Sequence, residues 1–183
     1  EIQCKDLSMR HKSINHVVHE WIVPYLQKNQ IIIDATCGHG FDTKFLSDQN
    51  VHIFAFDIQI EAIEYTKELL KEYDHVTFIH DSHVHLDRYL TYCEGIVFNC
   101  GYLPRSDKKV ITRPESTLEA MNKALNLLPK DGWMCVTFYQ GHDGGAEEMK
   151  LGIQWMRDHL NIVHEYTYEN VNNPPVALFG LKK

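Results

Sequence analysis

The sequence predicts an α/β protein: a mostly parallel seven-stranded sheet with helices on both faces and an antiparallel hairpin at its C-terminal end. Short apolar segments alternate with amphipathic helical segments along most of the chain, an order typical of a parallel sheet. Residues 162–169 and 175–182 then form two strand-like segments joined by Asn and Pro, which predicts the hairpin. The length of 183 residues fits one domain over residues 1–183, with residues 1–12 as an N-terminal extension.

The remaining elements follow in chain order. Ser13 caps a first helix that carries its apolar residues on one face, namely Ile14, Val17, Val18, Trp21 and Ile22. Short apolar segments predict strands at 31–34, 51–56, 76–79, 95–98 and 133–139. The stretches between them predict helices at 43–48, 60–72, 85–91 and 115–128. A last amphipathic helix, at 145–160, turns four residues inward: Met149, Ile153, Met156 and Leu160.

Charge and cysteine content narrow the class of protein. A formal charge of −7 and a pI near 5.9 argue against a broadly basic nucleic-acid coat, although they leave room for a local basic patch. The five cysteines are scattered and contain no CxxC pair, which favours a reducing, cytoplasmic location. No apolar run reaches membrane-spanning length, so no membrane partner is expected.

The segment 31–46 carries the strongest functional signal. A short apolar strand ends in Asp34, a loop with Gly38 and Gly40 follows, and a helix is expected to begin near Asp42 or Thr43. Glycines let a backbone approach a ligand closely, and a helix start offers unpaired N–H groups. A carboxylate at the strand end would repel a pyrophosphate but accepts hydrogen bonds from an ammonium group. The segment therefore favours S-adenosylmethionine (SAM) over NAD.

Polar residues at the next strand ends extend this cofactor site, because ligands of open α/β sheets lie at the carboxyl ends of the strands. Asp57 is placed to bond the ribose hydroxyls, Asp81 and Ser82 the adenine, and Asn99 lies where the reactive methyl is expected. The full predicted cofactor-binding set is Asp34, Thr36, Gly38, His39, Gly40, Asp42, Thr43, Asp57, Gln59, Asp81, Ser82, His83 and Asn99.

Two alternatives compete with the SAM site. An NAD-binding unit also has an acid after its second strand, but it requires GxGxxG, and here Thr43 stands where the third glycine belongs. Acids at strand ends can also be ordinary turn residues. Four such strand ends beside one glycine-rich loop favour the cofactor site over both alternatives.

The loop after the fourth strand resembles the Asn/Asp-Pro-Pro-Tyr/Phe loop of methyltransferases that act on amino groups. Asn99 and Tyr102 keep the spacing of that loop, whereas its prolines are absent. In such enzymes the Asn side chain and a backbone carbonyl accept from the amine, and the aromatic ring packs on the substrate. A turn Asn followed by a core Tyr is the alternative interpretation.

The motifs DATCGHGFDT, FDIQ, HDSH, FNCGYLPRSDK, YQGHDGG and NNPP together resemble the YtqB/MnmM family of small bacterial SAM-dependent enzymes. The resemblance covers residues 13–183 and implies the class I SAM-dependent methyltransferase fold, which is Rossmann-like. It also implies methylation of the aminomethyl group of 5-aminomethyl-2-thiouridine at the tRNA wobble position, and a homodimer. The sequence departs from the family pattern at His39, Phe41, Cys100, Arg105 and Ser106.

The implied acceptor assigns catalytic and substrate-binding roles. Asn99 and the carbonyl region of Gly101 would orient the amine, and Tyr102 would pack against the base. An alkyl ammonium with a pKa of about 10 must lose a proton before it attacks a methyl group. The candidate proton acceptors are Asp34, Asp107 and His142.

A basic cluster follows the acceptor loop and consists of Arg105, Lys108, Lys109 and Arg113. These cations either contact phosphates of the tRNA anticodon stem-loop or form a solvated loop. Arg10, His11 and Lys12 form a second cluster.

The histidines at 80, 83 and 85 lack the spacing of a zinc site, so no metal is expected. Other functions left open are methylation of rRNA, methylation of a small-molecule amine, and SAM binding without catalysis.

Overall fold

The secondary structure keeps the predicted alternation in residues 12–100 and 114–183, the part of the chain that the computed structural model describes. The strands are β1 (Ile31–Asp34), β2 (His52–Asp57), β3 (Val76–His80), β4 (Gly95–Cys100), β5 (Trp133–Phe138), β6 (Leu160–Thr167) and β7 (Val176–Lys182). The α-helices are α1 (Ile14–Ile22), α2 (Phe41–Ser47), α3 (Ile60–Leu69), α4 (Pro114–Leu127) and α5 (Gly145–His159). Short 3₁₀ helices lie at Val23–Tyr25 and His83–Arg88. Within these residues no helix is both long and apolar enough to cross a bilayer.

The sheet has seven strands in the order β3-β2-β1-β4-β5-β7-β6. Strands β1 to β5 pair in parallel, while β7 is antiparallel to both of its neighbours, β5 and β6. The predicted mostly parallel sheet with a C-terminal antiparallel hairpin is therefore confirmed. Strand order reverses between β1 and β4, and open α/β sheets bind ligands at the carboxyl ends of strands at such a reversal.

Apolar cores lie on both faces of the sheet. One core joins β1, β4 and β5 to the buried faces of α4 and α5, and it includes Met121 and Met156. The other joins the opposite face of the sheet to α1 and α2, and it includes Ile22 and Leu46. The predicted apolar face of α1 is buried except at Trp21, which is only partly covered. Helices on both faces fix the position of each strand end, so the site rests on a rigid base.

The ends of several elements differ from prediction for local reasons. Helix α2 begins at Phe41, one residue before the predicted start near Asp42 or Thr43, and Gly40 is its N-cap in the left-handed conformation, with φ of 76°. The helix predicted at 85–91 is a short 3₁₀ helix, His83–Arg88, instead. Leu160 is buried as expected, but its backbone is extended and it begins β6 rather than ending α5.

Candidate active site

The carboxyl ends of β1, β2 and β4 meet where the strand order reverses. Asp34, the last residue of β1, is paired in register with Ala55 of β2 and Val97 of β4. Asp57 ends β2, while Asn99 lies within β4 one residue before its end rather than after the strand. The predicted strand-end residues are thus neighbours on one edge of the sheet.

Asp34 is fully buried and is held from two sides. Its carboxylate accepts a hydrogen bond from Thr43 Oγ1 at 2.6 Å and from the backbone N–H of Thr36 at 3.1 Å. Burial raises the pKa of Asp34 to about 7, and the nearby carboxylates of Asp42 and Asp57 add to the rise. The carboxyl group is therefore close to half-protonated at neutral pH in the free protein.

This buried carboxyl group fits a cationic ligand. Among the described residues no Lys, Arg or His forms an ion pair with Asp34. Burying a carboxylate without a cation is unfavourable, and an incoming ammonium group relieves that penalty. The donor chemistry therefore suits the α-ammonium of an amino acid moiety such as that of SAM.

The glycine-rich loop has a conformation that requires its glycines. Gly38 and Gly40 have φ of 51° and 76°, in the left-handed region. A Cβ on Gly40 would lie 2.4 Å from Thr66 Cγ2. Thr66 Oγ1 in turn donates to the carbonyl oxygen of Gly38 at 3.0 Å, so α3 anchors the loop. The loop is held against the sheet in one shape, as a cofactor cradle requires.

Asp57 is fixed by backbone groups on both sides. Gly38 N donates to Asp57 Oδ2 at 2.8 Å, and Gln59 N donates to Asp57 Oδ1 at 2.9 Å. Burial raises the pKa of this carboxyl group. Each carboxylate oxygen can accept a further bond, so Asp57 retains acceptors for a pair of hydroxyls. His39 is exposed beside it and packs its ring 5.2 Å from that of Tyr65.

The end of β3 is occupied by internal contacts. Asp81 bonds His85 Nδ1 at 2.7 Å and accepts from Tyr89 Oη at 2.8 Å, and the first contact is the main reason that its pKa falls to about 2. Ser82 Oγ caps the 3₁₀ helix by accepting from Val84 N at 3.3 Å. The adenine contacts expected of Asp81 and Ser82 remain a prediction.

His83 links the end of β3 to the loop after β1. Its Nδ1 lies 3.2 Å from the carbonyl oxygen of Ala35, so Nδ1 carries a hydrogen and donates. Burial lowers the pKa of His83, which keeps the ring neutral. The ring edge also meets Phe98 of β4 at a centroid distance of 5.8 Å.

Asn99 is held through both its backbone and its side chain. Its N–H donates to Thr36 Oγ1 at 2.7 Å, and its Nδ2 donates to Asp42 Oδ2 at 3.2 Å. Asp42 is itself buried and lies 2.7 Å from His19 Nε2 of helix α1. The fourth strand end thus carries a fixed carboxamide, the group expected to orient an acceptor amine.

His142 belongs to a separate cluster of buried polar side chains beside the ends of β4 and β5. Its Nδ1 donates to the carbonyl oxygen of Asp143 at 3.1 Å, and its Nε2 is 3.7 Å from Glu148 Oε2. Thr117 Oγ1 of α4 donates to Glu148 Oε1 at 2.5 Å. Burial raises the pKa of the adjoining Cys100 thiol, and Glu148 adds to the rise. This thiol is therefore protonated and not nucleophilic.

His19 and Glu148 are site residues that sequence reasoning missed. His19 contacts Asp42 across 23 positions of sequence, and no local pattern connects the two. Glu148 did leave a signal, because it lies on the inward face of α5 one helical turn before the buried Gly152. An acid on an apolar helix face is rarely left without a partner.

Several predicted residues lie outside the described part of the chain. They are the predicted residues of the acceptor loop beyond Cys100 and the whole basic cluster, namely Gly101, Tyr102, Arg105, Asp107, Lys108, Lys109 and Arg113. Of the second basic cluster only Lys12 is described, and it pairs with Glu20 at 2.7 Å on the surface.

Metal ligation was not expected at the three histidines at and after the end of β3. His80 Nε2 contacts the carbonyl oxygen of Ile58 at 3.1 Å, and His83 and His85 have the partners given above. Within residues 12–100 and 114–183 no group of three or more His, Cys, Asp and Glu side chains could hold a metal ion.

Comparison with known proteins places the chain in a family. The family model described as "Putative rRNA methylase" matches residues 53–180. The chloroplastic tRNA (mnm(5)s(2)U34)-methyltransferase of Arabidopsis thaliana is 34% identical over 155 residues, which cover 75% of this chain and 56% of the relative. The chain therefore spans only about half the length of that relative.

Two solved bacterial structures match over nearly their whole length. A "putative rRNA-methylase" from Clostridium thermocellum is 33% identical with a TM-score of 0.85, over 92% of this chain and 96% of that one. A "putative methyltransferase" from Streptococcus mutans, solved in complex with SAH, is 32% identical with a TM-score of 0.84, over 94% and 99%. The resemblance to the YtqB/MnmM family is thereby confirmed: the chain belongs to the family described as rRNA methylases, and it has the class I SAM-dependent methyltransferase fold.

Proposed function

We propose that this protein is a SAM-dependent methyltransferase that methylates the aminomethyl nitrogen of 5-aminomethyl-2-thiouridine at the tRNA wobble position. The observation that carries the proposal is the fixed carboxamide of Asn99, which lies one residue from the end of β4, on the sheet edge that also carries the buried carboxyl group of Asp34. The name of the Arabidopsis relative supports the wobble uridine as the target.

The residues at the strand ends would hold the cofactor. Asp34 accepts from the ammonium of the methionine moiety, and Asp57 accepts from the ribose hydroxyls with the oxygens that Gly38 and Gln59 already orient. Asp81 and Ser82 lie at the adenine end. Bound SAM supplies an electrophilic methyl group, so the protein mainly has to position the acceptor.

The acceptor amine has to lose its proton and then present its lone pair. Asn99 Oδ1 accepts one N–H of the amine, and Tyr102 packs on the base. Asp34, Asp107 and His142 are the candidate proton acceptors.

The tRNA anticodon stem-loop would be bound by the basic cluster, Arg105, Lys108, Lys109 and Arg113. The formal charge of −7 makes a broad RNA-binding surface unfavourable, so a few local phosphate contacts have to set the position. We also infer a cytoplasmic homodimer, in which a second copy enlarges the RNA footprint. Light scattering of the purified protein tests the dimer.

The decisive variant is Asn99→Ala, assayed on tRNA from cells that lack the gene. We expect methyl transfer at saturating SAM to fall ~10²-fold, because a misoriented nucleophile loses most of its rate advantage. The SAM dissociation constant should change far less than the rate of methyl transfer, since the contact of Asn99 with the amine acts on the transfer step. Asn161→Ala, an exposed asparagine in β6, is the matched control.

Nucleoside mass spectrometry gives the chemical readout. Wild-type protein should convert the aminomethyl nucleoside to its methylated form in the tRNA. Equal losses of SAM affinity and methyl transfer in Asn99→Ala would contradict the assignment. Methylation of the free nucleoside as fast as of tRNA would instead favour a small-molecule amine, the function that the acidic charge supports.

A further inference from the structure

The side chain of His19, on helix α1, is largely buried. It projects from α1 onto α2, where its ring stacks on Phe45 with centroids 3.8 Å apart and an interplanar angle of 7°. Phe41 lies on the same side at 5.3 Å. The His19 side chain is only 13% exposed, so α1 and α2 enclose it almost completely.

The polar end of His19 meets a buried carboxylate. Its Nε2 lies 2.7 Å from Asp42 Oδ1, and the Asp42 side chain is only 6% exposed. A carboxylate accepts, so His19 Nε2 carries the hydrogen of this contact. Without His19 the buried Asp42 carboxylate would lose one hydrogen bond. That loss favours rotation of the carboxylate or entry of water.

Asp42 in turn sets which way the Asn99 carboxamide faces. Asp42 Oδ2 can only accept, so it takes the nitrogen end of the carboxamide, Nδ2, at 3.2 Å. The oxygen, Oδ1, must then face away from Asp42. The backbone of Asn99 is fixed separately, by the hydrogen bond to Thr36. The contact with Asp42 therefore restricts the rotation of the Asn99 side chain.

We infer that His19 is a positioning residue for methyl transfer: through Asp42 it holds the Asn99 carboxamide with Oδ1 toward the acceptor amine. This inference rests on the proposed function only in its last step, the identity of the amine. His19 lies outside residues 53–180, the segment that the family model matches, so α1 adds a part of the site that this segment does not contain.

The first test reads the Asn99 side chain directly and needs no substrate. In ¹⁵N-labelled free protein, the Asn99 Hδ2 signals are assigned by their loss in Asn99→Ala, and their exchange with water is measured. His19→Leu removes the donor and keeps bulk against Phe45. We expect it to speed this exchange by about tenfold or more, because the charge-assisted bond to Asp42 is no longer held.

His19→Gln keeps an N–H donor and should leave the exchange within about threefold of wild type. The matched control is His16→Leu, because His16 lies on the same helix and its side chain is 60% exposed. Unchanged exchange in a folded His19→Leu protein would overturn the inference. If His19→Leu does not fold, His19→Ala takes its place. Amide exchange should then be faster in His19→Ala than in wild type and unchanged in His19→Gln. Any other result would overturn the inference.

The second test measures single-turnover methylation of aminomethyl tRNA at saturating SAM. We expect His19→Leu to be slower by about 10-fold to 100-fold, with SAM affinity within about twofold. In the Asn99→Ala background the same change should have almost no further effect, because both act through one carboxamide. Fully additive losses would contradict the positioning role.

The two tests separate two failures. If wild-type protein does not methylate this tRNA, the proposed function is wrong, and the exchange measurement still decides whether His19 holds Asn99. Asp42→Asn does not isolate the role of His19, because Asp42 also contributes to the raised pKa of Asp34.

Discussion

An aspartate lies at the carboxyl end of β1 and another at the carboxyl end of β3, and their pKa values are shifted in opposite directions. Asp34, which ends β1, has a pKa raised to about 7, whereas Asp81, which follows β3, has a pKa lowered to about 2. Asp34 is fully buried beside other carboxylates, and Asp81 is partly exposed with a histidine and a tyrosine as partners. Position in the sheet therefore does not set the chemistry of a strand-end acid; its neighbours do.

This difference indicates how each end meets the cofactor. At β1 no Lys, Arg or His of the described residues pairs with the Asp34 carboxylate, so a ligand's positive charge gains a large favourable interaction there. At β3 the Asp81 carboxylate already has hydrogen bonds with His85 and Tyr89, so a ligand meets oxygens that have partners within the protein. We therefore expect cofactor affinity to depend strongly on Asp34 and weakly on Asp81.

Asp34→Asn should give the largest effect. The amide keeps the shape of the side chain but cannot pair with the ammonium of SAM, so we expect SAM affinity to fall by ~10²-fold or more. The free protein should be at least as stable as wild type at pH 8, because the substitution removes a buried negative charge. Calorimetric titration and thermal unfolding measure the two effects.

Asp74→Asn is the matched control, since its side chain is fully exposed on the surface. A loss of SAM affinity in Asp34→Asn that is accompanied by a large drop in melting temperature would indicate a structural role for Asp34. SAM binding unchanged by Asp34→Asn would remove the cofactor assignment of this carboxylate.

The pH dependence of SAM binding should give the next largest effect. Because the pKa of Asp34 is raised from 3.8 to about 7, the carboxyl group is neutral below that pH and SAM has to displace its proton. Affinity should fall by up to about tenfold per pH unit below 7. The free α-amino group of SAM loses its own proton near pH 8, so affinity should be highest between about pH 7 and 8.

The same pKa shift affects folding in the opposite direction. A folded-state pKa above the unfolded value means that the folded free protein binds more protons between about pH 4 and 7, so its stability falls as pH rises through that window. In Asp34→Asn, SAM affinity should no longer fall below pH 7, and the stability of the free protein should no longer fall as the pH rises through that window. A SAM affinity that stays flat from pH 6 to 7 in wild type would show that Asp34 is already ionised in the free protein.

The sequence could predict the sheet and the strand-end acids, because both depend on local patterns. Strand length, alternation with helices and the glycine loop placed Asp34, Asp57 and Asn99 together before any contact was known. The pKa contrast between Asp34 and Asp81 was not predictable, since it arises from burial and from side chains that meet only in the fold. The contact of His19 with Asp42 is of the same kind.

Asp81→Asn should have the smallest effect on SAM affinity. Binding of adenosine distinguishes the roles of Asp81 and Asp34. Adenosine carries the ribose and adenine of SAM but lacks its ammonium group. Asp34→Asn should therefore leave adenosine binding nearly unchanged while it weakens SAM. Asp81→Asn should weaken both ligands by the same factor, below about fivefold, because a partly exposed acid contributes little.

His85→Gln completes the comparison, because it removes the imidazole partner of Asp81 and leaves the acid in place. If Asp81 contacts adenine, Asp81→Asn should weaken adenosine binding more than His85→Gln does. Equal effects of the two variants would mean that Asp81 only orders the 3₁₀ helix after β3. An Asp34→Asn protein that lost adenosine and SAM affinity together would contradict the division of the site into an ammonium-binding end at β1 and an adenine-binding end at β3.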